Sequence, residues 1–369
     1  MKIARLDTIV LRIPYSTGGS DEASAWGGRA WTTADSLLVR LETEEGLVGW
    51  GEAFGYNVIP ATRAVLEECV RPMVLGADAS AIEALRRDVE RKLHIFGRGG
   101  PVTYALSGLD IALWDLAGKA AGLPLHRLLG GRVHDRLPCY ASLIRYGEPE
   151  TVGRHAARAR EAGFGAVKLH EIDTPAIRAA REALGPGVPL MLDVNCPWTY
   201  AQALQRAREL HAVEPAWLEE PLWPPEDETG LARLRQEGGL PIAAGENAAT
   251  LHQFAGLLRS RSVDVLQPSP AKCGGVSALR EVYTLAAAHQ ARVVPHSFYD
   301  GPAFLAALHC SAVFQTEPLV EWRFFDLEAP PYGGRFMPEG GSVAVPDGPG
   351  LGADPDPEVL RAFGDARMH

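Results

Sequence analysis

Three acids stand at a nearly constant interval, each closing a short apolar run: Asp193 after Met191-Leu192, Glu219 after Trp217-Leu218, and Glu246 after Ile242-Ala243-Ala244-Gly245. They are 26 and 27 residues apart. Carboxylates brought together by such a repeat repel one another unless one is protonated or a cation sits between them. An all-oxygen set suits Mg²⁺, with Mn²⁺ as the alternative, better than zinc. One repeat earlier, Val167-Lys168-Leu169-His170 puts Lys168 and His170 on one face of an extended segment, because strand side chains alternate. A lysine near a metal can hold a substrate carboxylate, and a histidine beside it titrates close to neutral pH, as a general base should. Further on, Val293-Val294-Pro295-His296-Ser297 supplies a second imidazole, and Glu321 follows. Two imidazoles on opposite sides of one cation make a proton-transfer geometry. A carbon acid next to a carboxylate yields its proton to imidazole only if the enolate is stabilised as it forms. Glu321, if protonated, can donate to the enolate oxygen; the alternative for it is an ion pair with Arg323 or another cation.

Such residues need a scaffold that delivers one of them per repeat. With strand ends at Lys168, Asp193, Glu219, Glu246, Ser269, His296 and Glu321, the successive intervals are 25, 26, 27, 23, 27 and 25 residues, room for a strand, a loop, a helix and a loop. Helical apolar spacing fills the gaps, at 152–162, 175–184, 201–211, 229–236, 250–260, 277–290 and 302–313, and 137–143 supplies a first strand. Parallel strands require such crossovers, so residues 126–326 read as a modified TIM (β/α)-barrel of the α/β class, with the site at the C-terminal ends of its strands. Residues 1–125 have a different pattern. Strands at 3–13, 36–42 and 46–52, then helices at 61–70, 80–93 and 104–121, make an α+β capping domain. The glycine- and proline-rich segment 327–369 is expected to pack back on that cap and complete it. Between the first two strands, the glycine-rich stretch Gly18 to Gly28 is too long for a plain hairpin turn and reads as a lid or as a surface loop.

Composition narrows the partners. A formal net charge of −10 argues against a nucleic-acid or anionic-membrane surface, so an anionic substrate must be drawn by local charge. The 5 cysteines are scattered, odd in number and without metal-type spacing, which fits a reducing compartment. The N-terminal stretch alternates like a strand, without the apolar core of a signal peptide, and no apolar run is long enough to span a membrane. The expectation is a cytoplasmic protein, a homo-oligomer, acting on a small-molecule carboxylate.

The run Ser107-Gly108-Leu109-Asp110-Ile111-Ala112-Leu113-Trp114-Asp115-Leu116, with Gly118-Lys119 and Leu128-Leu129-Gly130-Gly131, leads into the barrel. Gly245-Glu246-Asn247 and Lys272-Cys273-Gly274-Gly275 follow later. With the acids and bases above, these stretches resemble the enolase superfamily, in its mandelate racemase and muconate-lactonising branch, over essentially the whole chain. The resemblance implies that Asp193, Glu219 and Glu246 bind the metal, with Asn195, Glu220 and Asn247 beside them, and it selects Glu219 over Glu220. It implies that Lys168 contacts the substrate carboxylate, that His170 is the base, that His296 is the opposite acid or base, and that Glu321 partners the enolate oxygen. Cap loops near Gly18 to Gly28 and Ala53 to Tyr56 would close over the site and choose the substrate. Two departures stand out. The branch more often carries Lys-x-Lys where this chain has Lys168-Leu169-His170. Mandelate racemase-like members place an aspartate on the sixth strand to orient the seventh-strand histidine, where Gln267-Pro268-Ser269 offers Ser269. A hydroxyl can hold a tautomer without stabilising imidazolium, so His296 is better suited to protonating a leaving hydroxide. Lys272, three residues on, is not assigned to the chemistry. The expected reaction is Mg²⁺-dependent α-proton abstraction followed by dehydration of a hydroxylated acid such as an acid sugar. A racemase or epimerase is the alternative, and a barrel that binds metal without turnover is the third reading.

Overall fold

Ile3–Ser16 and Thr33–Thr43 are largely buried along their middles and pair antiparallel, with Leu6 opposite Leu41 and Val10 opposite Leu37; Val48–Ala53 adds on the far side of the second strand and Asp326–Leu327 on the outer edge of the first. In this computed structural model the described residues are 1–17, 25–26 and 29–365, the side chains of 25, 26, 29 and 30 excepted. The lid expected at Gly18 to Gly28 therefore lies outside them, apart from the backbone of Ala25–Trp26. Helices Ile82–Leu93 and Pro101–Ala121 close the cap, Leu109, Leu113 and Leu116 of the second burying against Leu37, Val39 and Leu41 of the sheet. That helix lies against the sheet because Gly51 faces Gly108: a Cβ on Gly51 would meet the Gly108 carbonyl oxygen at 1.9 Å.

The barrel strands are Arg136–Ser142, Val167–Leu169, Leu190–Asp193, Trp217–Glu219, Ile242–Ala244, Val265–Leu266, Arg292–Val293 and Val320–Arg323, first to eighth. All are parallel, and the ladder runs seventh, sixth, fifth, fourth, third, second, first, eighth. The barrel interior is layered by the period-two alternation. Tyr140, Ala166, Met191, Trp217, Val265 and Val294 form one apolar layer. Two residues further along each segment, Ser142, Lys168, Asp193, Glu219, Gln267 and His296 form a buried polar layer above it. The strand ends expected at Glu246, Ser269 and His296 are corrected by two or three residues, since pairing stops at Ala244, Leu266 and Val293. Gly245 turns out of the extended region (φ +129°), and Pro268 and Pro295 have no N–H to extend the ladder. These three side chains therefore sit on loops at the barrel mouth.

The C-terminal segment returns to the cap. Pro357–Phe363 lays Val359, Leu360 and Phe363 on Ile9, Leu11 and Ile13, and Asp365 accepts from Val10 N (2.8 Å) and the Arg63 guanidinium (3.1 Å). Cap acids also meet two barrel helices at their N-termini. Asp110 accepts from Ser277 N (2.9 Å) and Oγ (2.6 Å) at the start of Gly275–Ala288, and Glu52 accepts from Ala303 N (3.0 Å) at the start of Pro302–Phe314. Burial raises the Asp110 carboxyl to about 7 against these bonds. Among the described residues no helix is long and apolar enough to cross a membrane.

Candidate metal centre and active site

Asp193, Glu219 and Glu246 bring one carboxylate oxygen each within 4.8 Å of one another, all three side chains buried. Glu219 closes the fourth strand pointing inward, where Trp217 Nε1 donates to its Oε2 (2.9 Å). Glu220, the next residue, turns the other way with φ +45° and takes two bonds from Asn247 Nδ2, each 3.0 Å, and one from Cys196 Sγ (3.5 Å). Asn195 contributes its backbone, its N–H donating to Asp193 Oδ1 (3.1 Å). Burial, then the charge of Asp193, pushes the Glu219 carboxyl up to about 8, so without a cation this cluster relieves its repulsion by holding a proton. A buried, all-oxygen trio that must otherwise protonate fits a hard divalent cation, which would replace that proton.

Lys168 lies beneath the trio, fully buried. Its ammonium donates to Glu219 Oε1 (2.9 Å) and Asp193 Oδ2 (3.3 Å) and pairs with Glu321 Oε1 at 2.8 Å. Burial opposes its charge, but Glu219 and Glu321 outweigh that and hold its pKa well above the ordinary lysine value. The cavity above is lined by His170, Asp193, Glu246 and His296, and Lys168 is not on its wall. The lysine expected to hold the substrate carboxylate thus has its donors on three protein carboxylates. Glu321 takes the ion-pair alternative, with Lys168 as the cation. Burial works to protonate it, yet Lys168 and His296 hold it at about 2, and its Oε2 accepts from Ser297 N (2.9 Å). Arg323, its other candidate partner, pairs with Asp300.

His170 donates from Nδ1 to the Leu143 carbonyl, which leaves the lone pair of the neutral ring on Nε2, 3.1 Å from Asp193 Oδ2 and facing the cavity. Burial lowers its pKa but Asp193 outweighs burial, and the net shift is upward. On the opposite wall His296 Nε2 is 3.2 Å from Glu246 Oε2. Burial, only partly offset by Glu246, moves its pKa down. Its Nδ1 is buried and has no hydrogen-bond partner among the described residues. The expectation that Ser269 holds the His296 tautomer is corrected: Ser269 Oγ is bonded to Tyr299 OH at 2.6 Å. The hydroxyl is taken by a side chain 30 residues away, a partner that strand spacing does not show.

The cavity holds about 560 Å³, roofed by Trp31, Phe54 and Tyr56 of the cap. That is within the usual range for a small-molecule site. Of its cations, Arg145 was not singled out from the sequence and Lys272 was left without a role. Arg145 follows the first strand and donates from Nε to the His170 carbonyl (2.5 Å), and Lys272 donates to Glu246 Oε1 (3.1 Å). Placing Arg145 just past a C-terminal strand end was enough to find it. Lys272 sits within a loop, where period-two reasoning gives no direction.

Residues 151–359 match the family described as enolase C-terminal domain-like, and residues 26–130 match the N-terminal domain of mandelate racemase / muconate lactonizing enzyme. The chain is 34% identical to the 3,6-anhydro-alpha-L-galactonate cycloisomerase of Streptomyces coelicolor, over 97% of this chain and 98% of that protein. It is 31% identical to the arabinonate dehydratase of Saccharolobus solfataricus, over 90% of this chain and 91% of that one. Among solved structures, a racemase from Streptomyces coelicolor with bound magnesium superposes with a TM-score of 0.86 at 31% identity, covering 98% of this chain and 99% of that chain.

Proposed function

The chain belongs to the mandelate racemase / muconate lactonizing enzyme family of the enolase superfamily, and from that premise we propose that it abstracts the α-proton of an acid sugar and eliminates the β-oxygen. The observation that carries the reading is the pair of imidazoles that line one cavity with two acids of the trio, His170 Nε2 at Asp193 and His296 Nε2 at Glu246. Asp193, Glu219 and Glu246 would hold Mg²⁺, with Mn²⁺ as a substitute, and the ion would supply positive charge for the carboxylate as it gains enolate character.

The residues of the chain do the rest. His170, its Nδ1 fixed on Leu143, takes the C2 proton at Nε2. Lys168 favours the charged forms of Asp193, Glu219 and Glu321 and holds them in place beneath the reacting carboxylate. His296, opposite, protonates the departing oxygen. The roof of Trp31, Phe54 and Tyr56 excludes water while the enolate exists. A free hydroxyl leaving C3 makes the reaction a dehydration and gives a 2-keto-3-deoxy acid. The same elimination from a ring ether keeps the oxygen attached and is an isomerisation, a form favoured by the cycloisomerase among the relatives. Epimerisation is the second reading, favoured by the two opposed imidazoles themselves.

The test is a panel of aldonic and aldaric acids and their anhydro forms, incubated with protein and Mg²⁺ in D₂O and followed by proton NMR. A keto product with loss of the C2 hydrogen is expected. Deuterium at C2 with inversion and no keto product selects epimerisation, and neither keto product nor exchange in any member sinks the reading.

A further inference from the structure

Lys272 takes no part in the chemistry assigned above, yet its surroundings are those of a reacting group. It stands on the loop between the sixth strand and the helix Gly275–Ala288 and lines the cavity with its side chain 6% exposed. Its Nζ donates to Glu246 Oε1 (3.1 Å) and Asn247 Oδ1 (3.4 Å). An ammonium has three N–H donors, and among the described residues no third acceptor meets it. The Phe54 ring of the cap lies 4.4 Å from Nζ and fixes the side chain from above.

Glu246 shares its two oxygens, Oε1 with Lys272 and Oε2 with His296. The ammonium and the imidazole are therefore side by side on the wall facing His170. Ser269, bonded to Tyr299, adds no charge there. Beyond that shared carboxylate the next group on this wall is a cation, the Lys272 ammonium. A fixed cation favours negative charge on a leaving oxygen.

We propose that Lys272 holds the departing β-oxygen of the substrate and so directs the enolate to elimination rather than reprotonation; this rests on the elimination reading above. In the step, the C2–H bond breaks and its proton goes to His170, the electron pair passing into the carboxylate as enolate. That pair returns to form the C2=C3 double bond as the C3–O bond breaks, and the C3–O pair leaves on oxygen. The oxygen takes a proton from His296 and a hydrogen bond from Lys272, which keeps all its own protons. A free oxygen departs as water, and a ring oxygen remains as a hydroxyl.

The test uses the full-length, Mg²⁺-loaded protein and a substrate that the wild type converts, with C2 hydrogen exchange and keto product measured in the same D₂O sample. Lys272→Met is expected to keep exchange near the wild-type rate while product formation falls about 10²–10³-fold, the range for removing one preset donor to a developing oxyanion. Lys272→Arg should restore part of it. If exchange and product fall together, with altered Mg²⁺ affinity by calorimetry, Lys272 only neutralises Glu246 and the inference is wrong; it is equally wrong if neither falls. Should Lys272→Met fail to fold, the exchange-to-product ratio of Lys272→Arg decides, a rise supporting the inference and an unchanged ratio overturning it. A wild type that forms no keto product from any hydroxylated acid removes the elimination reading instead.

Discussion

The two walls of the cavity are built to different standards of constraint. On the wall of the second to fourth strands the reacting groups lie on strands or one residue past their ends, His170 held by Leu143 and Lys168 by Glu219, Asp193 and Glu321. On the wall of the sixth and seventh strands His296, Ser269 and Lys272 sit on loops beyond the ladder, with His296 Nδ1 unpaired among the described residues. In the proposed reaction the first wall would form the enolate, a task common to any reaction that starts with the C2 proton, and the second would receive what leaves, which varies with substrate.

Breaking the first wall should cost most. His170→Asn is expected to lower C2 hydrogen exchange by about 10²–10⁴-fold, the usual worth of a positioned base; exchange surviving at the wild-type rate would move the base elsewhere. Asp193→Asn comes next. Mg²⁺ at 100 times its dissociation constant should stabilise the wild type by about 2.7 kcal/mol, seen as a raised melting temperature, and the variant should lose that rise. On the second wall, His296→Asn is expected to slow keto-acid formation while exchange continues, a partition read in one D₂O spectrum; equal loss of both would erase the distinction between the walls.

The support of the second wall gives a smaller effect, with a definite sign. Asp110 has a folded pKa of about 7, above the unfolded carboxyl value of about 3.9, so its contribution to stability is full below pH 4 and is lost as pH rises through 7. Asp110→Asn can still accept from Ser277 N and can donate to Ser277 Oγ, so it should flatten the melting temperature between those limits; an unchanged slope would mean that Asp110 is not its source. Ser269→Ala should do least. Its hydroxyl bonds Tyr299 and not His296, so the rates should stay close to wild type with about 1 kcal/mol lost in denaturant melts. A large fall in rate would restore Ser269 as the partner of His296.

What was legible in the sequence follows the same division. Asp193, Glu219, Lys168 and His170 are at or next to regular strand ends, where side-chain direction follows from position, and their convergence could be read from spacing alone. Glu246 kept its place among the acids even though its strand stops at Ala244, because the repeat is long and two residues are a small error within it. Beyond Leu266 and Val293 the chain turns at Pro268 and Pro295, and direction depends on contacts made by distant residues. The Ser269–Tyr299 bond and the Lys272–Phe54 stack are contacts of that kind. Lys168 and Glu321 pair at 2.8 Å inside the barrel, and here too spacing says which residues meet and not which of them share a proton.

The acids that the cap lends to the barrel have a consequence for how the chain comes apart. Glu52 and Asp110 satisfy N-terminal amides of two barrel helices, so separating the units would leave those helix starts without acceptors and the acids without donors. Neither unit has a complete set of bonds alone. Heating should therefore give one calorimetric transition, with equal van't Hoff and calorimetric enthalpies, and a barrel expressed without residues 1–125 should melt broadly or aggregate rather than stand as a smaller enzyme.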